Sequence, residues 1–222
     1  MEIADDIHLI PRVRGANAYL VKHDDGITII DTGLPGNADR IVSYVQSIGC
    51  RPSDVKTIIV THADMDHAGS LARLKEQTNA KVAIHEADAP ILSGEKERAQ
   101  GVAGLLLRAI GAVLRFNRMK ADVLLKDSDV IDGLTVIHTP GHTEGSICLH
   151  IPGRALFVGD ALLTDDEYAL SLPGRSMSMD LDQGKKSIKK ISELKYSALL
   201  PGHGPPIKRD ASAAAKKFVT HL

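Results

Sequence analysis

The stretch Thr61–Gly69 constrains this chain more than any other, because it holds four potential metal ligands within six positions: His62, Asp64, Asp66 and His67. The apolar run Val55–Val60 comes directly before them, and a helical pattern begins near Gly69. Open α/β sheets tend to place their chemistry at the carboxyl ends of strands. The stretch therefore predicts a site where a strand gives way to a helix.

Three more strand-like runs lead into a histidine or an aspartate flanked by Gly or Pro-Gly, which lets the backbone turn sharply and approach closely. These residues are His142, Asp160 and His203. A single such residue is more often a satisfied polar side chain, but the combination with the first cluster favours metal binding. In an extended segment, His62 and Asp64 point the same way, whereas Asp66 and His67 must diverge. Each pair can then serve a different metal ion.

Length and composition describe one ordinary domain, and we predict that it spans residues 1–222. The formal net charge of −1 gives no electrostatic reason to expect nucleic acid as a partner. No apolar run reaches the length of a membrane-spanning helix. Two widely separated cysteines, Cys50 and Cys148, and an acidic start without signal-peptide features indicate a reduced, cytoplasmic protein.

Both halves of the chain alternate strands with helices. Strands are predicted at Ile7–Arg14, Ile27–Ile30, Val55–Val60 and Leu134–His138, and amphipathic helices at Ala38–Ile48 and Asp182–Leu194. This pattern predicts an α/β fold in which two mixed β-sheets pack face to face with helices outside, an αββα sandwich.

Residues 93–126 are predicted to form a helical insertion. The apolar part, 101–116, is expected to be helical although it contains three glycines. A packed helix, a lid over the site and the interface of a homodimer are the alternatives for this segment. Its arginines, Arg108, Arg115 and Arg118, together with its apolar character, fit a small ester or thioester better than a polynucleotide.

Four motifs in this order resemble the metallo-β-lactamase superfamily: Thr-His-x-Asp-x-Asp-His-x-Gly, Pro-Gly-His-Thr-x-Gly-Ser, Val-Gly-Asp and Pro-Gly-His-Gly. Ile30–Gly33 also matches the family pattern, and the resemblance runs from about Ala16 to about Pro205. It implies the αββα sandwich and a site for two divalent metal ions, with zinc favoured and manganese or iron as alternatives. By position, it implies that His62, Asp64 and His142 bind the first ion, that Asp66, His67 and His203 bind the second, and that Asp160 bridges both.

One position departs from the usual pattern. Most members have a second histidine where this chain has Asp64, and a minority have a carboxylate. A third carboxylate lowers the charge of the site, and its oxygen is a harder ligand than imidazole nitrogen. We therefore expect easier acceptance of manganese or iron and a less acidic bound water.

The resemblance implies hydrolysis of a small ester, thioester or lactone by a hydroxide that bridges the metal ions, with Asp66 and Asp160 positioning it. Tyr168 is a candidate for contact with the substrate oxygen, as in some lactonase-like members. Asp31 resembles the carboxylate that orients a ligating histidine. The alternative function is that of a diiron redox protein, which reduces oxygen or nitric oxide and needs a separate flavoprotein partner.

Overall fold

The computed structural model describes residues 1–97 and 117–222, and in this part of the chain two β-sheets face each other. The first sheet has seven strands in sequential order: β1 Glu2–Ala4, β2 Ile7–Leu9, β3 Tyr19–His23, β4 Gly26–Ile30, β5 Val55–Val60, β6 Lys81–His85 and β7 Val123–Leu125. Strands β1 to β4 pair antiparallel, and β4 to β7 pair parallel.

The second sheet has five strands in the order β14-β11-β10-β9-β8. Their bounds are β8 Val130–Ile131, β9 Leu134–His138, β10 Ile147–Ile151, β11 Ala155–Gly159 and β14 Ala198–Pro201. Only the β11–β14 pairing is parallel in this sheet. A separate two-stranded hairpin consists of β12 Leu163–Thr164 and β13 Leu170–Ser171.

Helices cover the outer face of each sheet. Those associated with the first half of the chain are α1 Ala38–Ser47, α2 Met65–Ala68, α3 Leu71–Thr78 and α4 Ala89–Ser93, and a 3₁₀ turn, Pro52–Asp54, precedes β5. The second sheet is covered by α5 Leu181–Ser192 and α6 Ala211–Val219. In residues 1–97 and 117–222, no helix combines the length and the apolar character needed to cross a membrane.

Alternation along the central strands explains why the sheets are buried on both faces. Ile29 and Ile58 pack towards α1 and α3, whereas their neighbours Ile30 and Ile59 pack between the sheets. Successive strand residues point to opposite faces, so a strand covered on both sides must be continuously apolar. Phe157 of the second sheet lies in the same layer between the sheets. The predicted αββα sandwich is therefore confirmed.

The structure differs from the sequence prediction at two places that matter for the site. A strand was expected over Ile7–Arg14, but β2 stops at Leu9, because Pro11 cannot donate a ladder hydrogen bond and Arg12 has a φ of 63°. The predicted helical insertion, 93–126, extends too far at its C-terminal end, because Val123–Leu125 pairs with β6 as a strand of the first sheet. The predicted helix over 101–116, and the homodimer through it, lie outside the described residues.

Candidate metal centre

Seven histidine and aspartate side chains converge where strands of both sheets end. Ligand atoms lie within 4.8 Å of one another in three groups: His62, Asp64 and His142; Asp66, His67 and His203; and His62, His67 and Asp160. The first two groups are the sets that the resemblance implied for the two ions. The structure thus brings all seven residues together, and their binding of metal stays a prediction.

The side chains of the first group lie close to one another. The Nε2 atom of His142 lies 3.1 Å from Oδ2 of Asp64, and the Nε2 atom of His62 lies 3.6 Å from the same oxygen. Asp64 directly precedes α2 and has an extended backbone, with ψ of 146°. The short helix α2 is absent from the sequence prediction; it follows Asp64, a member of the first group, and contains Asp66 and His67, members of the second.

Two members of the second group, Asp66 and His203, form the open side of the centre. His203 Nε2 lies 3.1 Å from Oδ2 of Asp66, and these side chains are 33% and 35% exposed, respectively. The His62 side chain, in contrast, is 1% exposed. A small molecule that approaches the centre therefore meets Asp66 and His203 before it meets His62.

Asp160 lies between the two groups. Its Oδ1 atom is 3.2 Å from His67 Nε2, and its Oδ2 atom is 3.5 Å from His203 Nε2 and 3.7 Å from His142 Nε2. One carboxylate oxygen, Oδ2, thus faces a histidine of each group, which is the position that a ligand shared by two ions would occupy.

Two histidines are held by Asp31 and Thr61 with their Nε2 atoms turned into the centre. Asp31 Oδ2 lies 2.8 Å from His67 Nδ1 and also accepts the hydroxyl hydrogen of Thr61. Thr61 Oγ1 lies 3.1 Å from His62 Nδ1, so we assign the Nδ1–H tautomer to His62. The predicted orienting contact of Asp31 with a histidine of the cluster is therefore present in the structure.

The orphaned polar atoms at the centre fit a cation. Within the described residues, the buried atoms His62 Nε2, His67 Nε2 and Asp160 Oδ1 have no hydrogen-bond partner. Buried polar atoms are rarely left without one unless a ligand or water supplies it. Imidazole nitrogens and carboxylate oxygens are donors that suit zinc, iron and manganese. The donor set therefore fits divalent metal ions.

Electrostatics lead to the same conclusion. Burial lowers the pKa of a histidine, but the carboxylates of Asp160 and Asp31 outweigh burial and raise the pKa of His67 well above its ordinary value. Burial and the nearby charge of His67 lower the pKa of His62 to about 4. Burial would raise the pKa of Asp66, but the hydrogen bond with His203 and the charges of His67 and His62 lower it to about 2. The neighbouring carboxylates therefore favour positive charge at His67, whereas burial keeps His62 neutral, the form in which imidazole binds a metal ion.

A close approach of backbone completes the centre. A Cβ atom on Gly202 would lie 2.4 Å from Asp160 Oδ1 and 2.6 Å from His67 Cε1, so only glycine fits beside these side chains. Asn17 anchors this loop, because its amide donates hydrogen bonds to the carbonyl oxygens of Pro201 and Gly204. No local sequence pattern marks Asn17, because its partners Pro201 and Gly204 are far from it along the chain.

Tyr168 lies in the loop between β12 and β13, and 56% of the residue is exposed. The backbone N–H of Thr164, in β12, donates to the carbonyl oxygen of His203, so the hairpin begins beside the second group. Contact of Tyr168 with a substrate stays a prediction.

Five of the six histidines outside the centre have structural side-chain contacts. His8, His23 and His150 interact with Tyr44, Thr28 and the carbonyl oxygen of Lys195, respectively. The rings of His85 and His138 stack with their centroids 4.0 Å apart.

The fold and its clustered histidines and aspartates define an α/β sandwich with a candidate metal centre. The chain belongs to the metallo-β-lactamase superfamily, whose family model matches residues 11–203.

Curated relatives are similar over most of their length. The probable metallo-hydrolase YflN of Bacillus subtilis is 29% identical and covers 93% of this chain and 86% of its own. The acyl-coenzyme A thioesterase MBLAC2 of Bos taurus is 28% identical, over 85% of this chain and 72% of its own. An N-acyl homoserine lactonase of a Bacillus species is 27% identical, over 79% of this chain and 74% of its own.

Two solved structures show the same fold. The metallo-β-lactamase family protein TTHA1429 from Thermus thermophilus superposes with a TM-score of 0.76 at 23% identity, covering 99% of this chain and 80% of that one. The protein TTHA1623, solved in a di-iron-bound form, has a TM-score of 0.73 at 27% identity, covering 93% of this chain and 95% of that one.

Proposed function

We propose that the protein is a hydrolase that uses two divalent metal ions to cleave a small ester, thioester or lactone. The observation that carries this proposal is the convergence of two three-residue groups on either side of Asp160. Two ions in such a site polarise a carbonyl oxygen and generate a hydroxide nucleophile near neutral pH. A thioesterase and a lactonase among the relatives support a carbonyl substrate.

The side chains of the centre have distinct roles in this proposal. His62, Asp64 and His142 would hold one ion, Asp66, His67 and His203 would hold the other, and Asp160 would be available to both. Asp66 and Asp160 also orient the attacking water by accepting its hydrogen bonds. Asp66 lies on the open side, where a substrate enters, and the Tyr168 hydroxyl donates to the substrate oxygen.

Substrate panels test the proposal. Purified protein loaded with zinc or manganese is assayed on thioesters, lactones and phosphodiesters, together with Asp160→Ala. We expect hydrolysis of a carbonyl substrate and a loss of more than about 100-fold in the variant, since even residues that only support ligands typically cost 10- to 100-fold. The matched control is Asp25→Ala, at an exposed turn, which keeps the wild-type rate. Equal rates of wild type and Asp160→Ala on every substrate would contradict the proposal.

Diiron redox chemistry is the second candidate, favoured by the carboxylate of Asp64 and by the di-iron-bound form of TTHA1623. Metal analysis after anaerobic purification, followed by zinc substitution, separates the two functions. A hydrolase keeps its activity with redox-inactive zinc. A redox protein loses its activity with zinc and, with iron, consumes oxygen or nitric oxide when a flavoprotein supplies electrons.

A further inference from the structure

Asp88 is a buried carboxylate outside the seven residues of the metal centre. It is 0% exposed and directly precedes α4. An aspartate at this position ordinarily accepts hydrogen bonds from backbone N–H groups of its own helix. The Asp88 side chain makes no such capping bond. Its role must therefore come from its other contacts.

Three hydrogen bonds connect Asp88 to two loops of the metal centre. Its Oδ2 atom accepts from the backbone N–H of Ala63 and from the hydroxyl of Thr143, both at 2.9 Å, and its Oδ1 atom accepts from the backbone N–H of Gly145 at 2.8 Å. Ala63 lies between His62 and Asp64, and Thr143 follows His142. One carboxylate thus joins the two segments that carry the whole first group.

The loop around His142 is shaped to receive this carboxylate. A Cβ atom on Gly145 would lie 2.7 Å from Cγ of Asp88 and 2.6 Å from its backbone nitrogen, so a side chain at this position would push Asp88 away. Ser146 Oγ lies 2.7 Å from the Thr143 hydroxyl oxygen and accepts the Thr143 N–H at 3.0 Å. These contacts leave the Thr143 hydroxyl hydrogen directed at Asp88.

The second group is held without Asp88. The carbonyl oxygen of His67 accepts the N–H of Thr32 at 2.7 Å and the Thr32 hydroxyl at 2.9 Å. The carbonyl oxygen of Asp66 accepts the N–H of Ala16. A substitution of Asp88 should therefore change the geometry of the first group more than that of the second.

We propose that Asp88 is a positioning residue that sets the separation of His142 from His62 and Asp64, and so determines the affinity of the first metal ion. The inference rests on the proposed binding of two ions. In Asp88→Asn the side-chain amide keeps the shape of the carboxylate but turns a donor towards buried donors, so at least one backbone or hydroxyl contact is lost. Whichever way the amide is turned, its NH2 group faces either the N–H of Gly145 or the donors of Ala63 and Thr143, so the connection between the two loops is weakened.

The test is a cobalt(II) titration of metal-free protein, followed by absorption spectroscopy and calorimetry. Wild type is expected to bind two ions. Asp64→Asn, which alters a member of the first group, identifies the step that belongs to this group. In Asp88→Asn we expect this step to weaken 10- to 100-fold, the range for residues that support ligands, while the other step changes less than about threefold.

Two further variants keep the outcome decisive. Gly145→Ala retains the Asp88 carboxylate but displaces it, and should weaken the same binding step. If Asp88→Asn does not fold, the titration of Gly145→Ala tests the proposal in its place. Ile41→Val, in α1, which packs against α3 and the 3₁₀ turn, loses a buried methylene and should lower the melting temperature without changing either step.

The possible failures are distinguishable. Unchanged steps in Asp88→Asn, or equal weakening of both, would overturn the positioning role while leaving two-ion binding intact. Absence of any binding step in wild type would overturn the proposed function itself.

Discussion

At the scale of single residues, Asp64 is the position where the sequence predicts a departure from the usual pattern of the resemblance, and its Oδ2 atom lies 3.1 Å from His142 Nε2. A carboxylate there adds negative charge to a centre that already contains Asp66 and Asp160. Extra negative charge stabilises the protonated form of a bound water and so raises its pKa. A harder oxygen donor also shifts metal preference away from zinc towards manganese or iron.

Asp64→His should therefore raise the preference for zinc and lower the pH at which activity rises. Metal content after exposure to equal concentrations of zinc, manganese and iron measures the first effect, and a pH–rate profile measures the second. An unchanged metal content and an unchanged profile would contradict the role assigned to Asp64.

Individual residues also show what the sequence could predict. The seven residues of the centre were identified because each lies in a motif or at the end of an apolar run, which is a local signal. Asp88 had no such signal, since an aspartate before Ala89-Pro90 looks like an ordinary helix start. Its partners Ala63, Thr143 and Gly145 are close only after folding, and long-range contacts of that kind leave no periodic trace in one sequence.

At the scale of elements, the loops after β5, β11 and β14 carry most of the centre, and their glycines decide how closely the segments approach. The position of each loop follows from strand pairing: β11 and β14 run parallel, so Asp160 and His203 emerge at the same edge. Gly202 lies next to Asp160, where there is no space for a side chain.

Gly202→Ala should reduce metal affinity by more than about tenfold, because the new Cβ would collide with Asp160 and His67 and displace both. Calorimetric titration of metal-free protein measures the change. Gly174→Ala is the matched control, since a Cβ there meets nothing within 4 Å. If both variants bind metal like wild type, the close packing around Gly202 has no role in the centre.

Element boundaries were predictable where apolar alternation is strong, and β5 and β9 begin and end where expected. The short elements β1, β7, β8 and α2 were missed. Each has too few residues for a periodic pattern, and each is held by tertiary pairing or by its position in the centre.

At the scale of the whole molecule, the αββα architecture followed from strands that are apolar on both faces and from helices with one apolar face. The centre lies where strands of both sheets end, so metal binding and the stability of the sandwich are coupled. A ligand that binds only the native state stabilises it by about 2.7 kcal/mol at 100 times its dissociation constant.

Removal of metal should therefore lower the thermal midpoint of unfolding, and re-addition should restore it. Differential scanning calorimetry of chelator-treated and reloaded protein measures the shift. Asp160→Ala, treated in the same way, should show a much smaller shift because the shared carboxylate is absent. Identical midpoints for the metal-free and reloaded wild type would show that no ion binds the native state specifically.

Each group in the centre takes two residues from the first half of the chain and one from the second. The halves meet at the connection between β7 and β8, which joins the two sheets. Dividing the chain there would leave neither fragment with a complete set of three ligands. Metal ions would then hold the two fragments together. Recovery of activity from the two fragments would depend on both metal and fragment concentration.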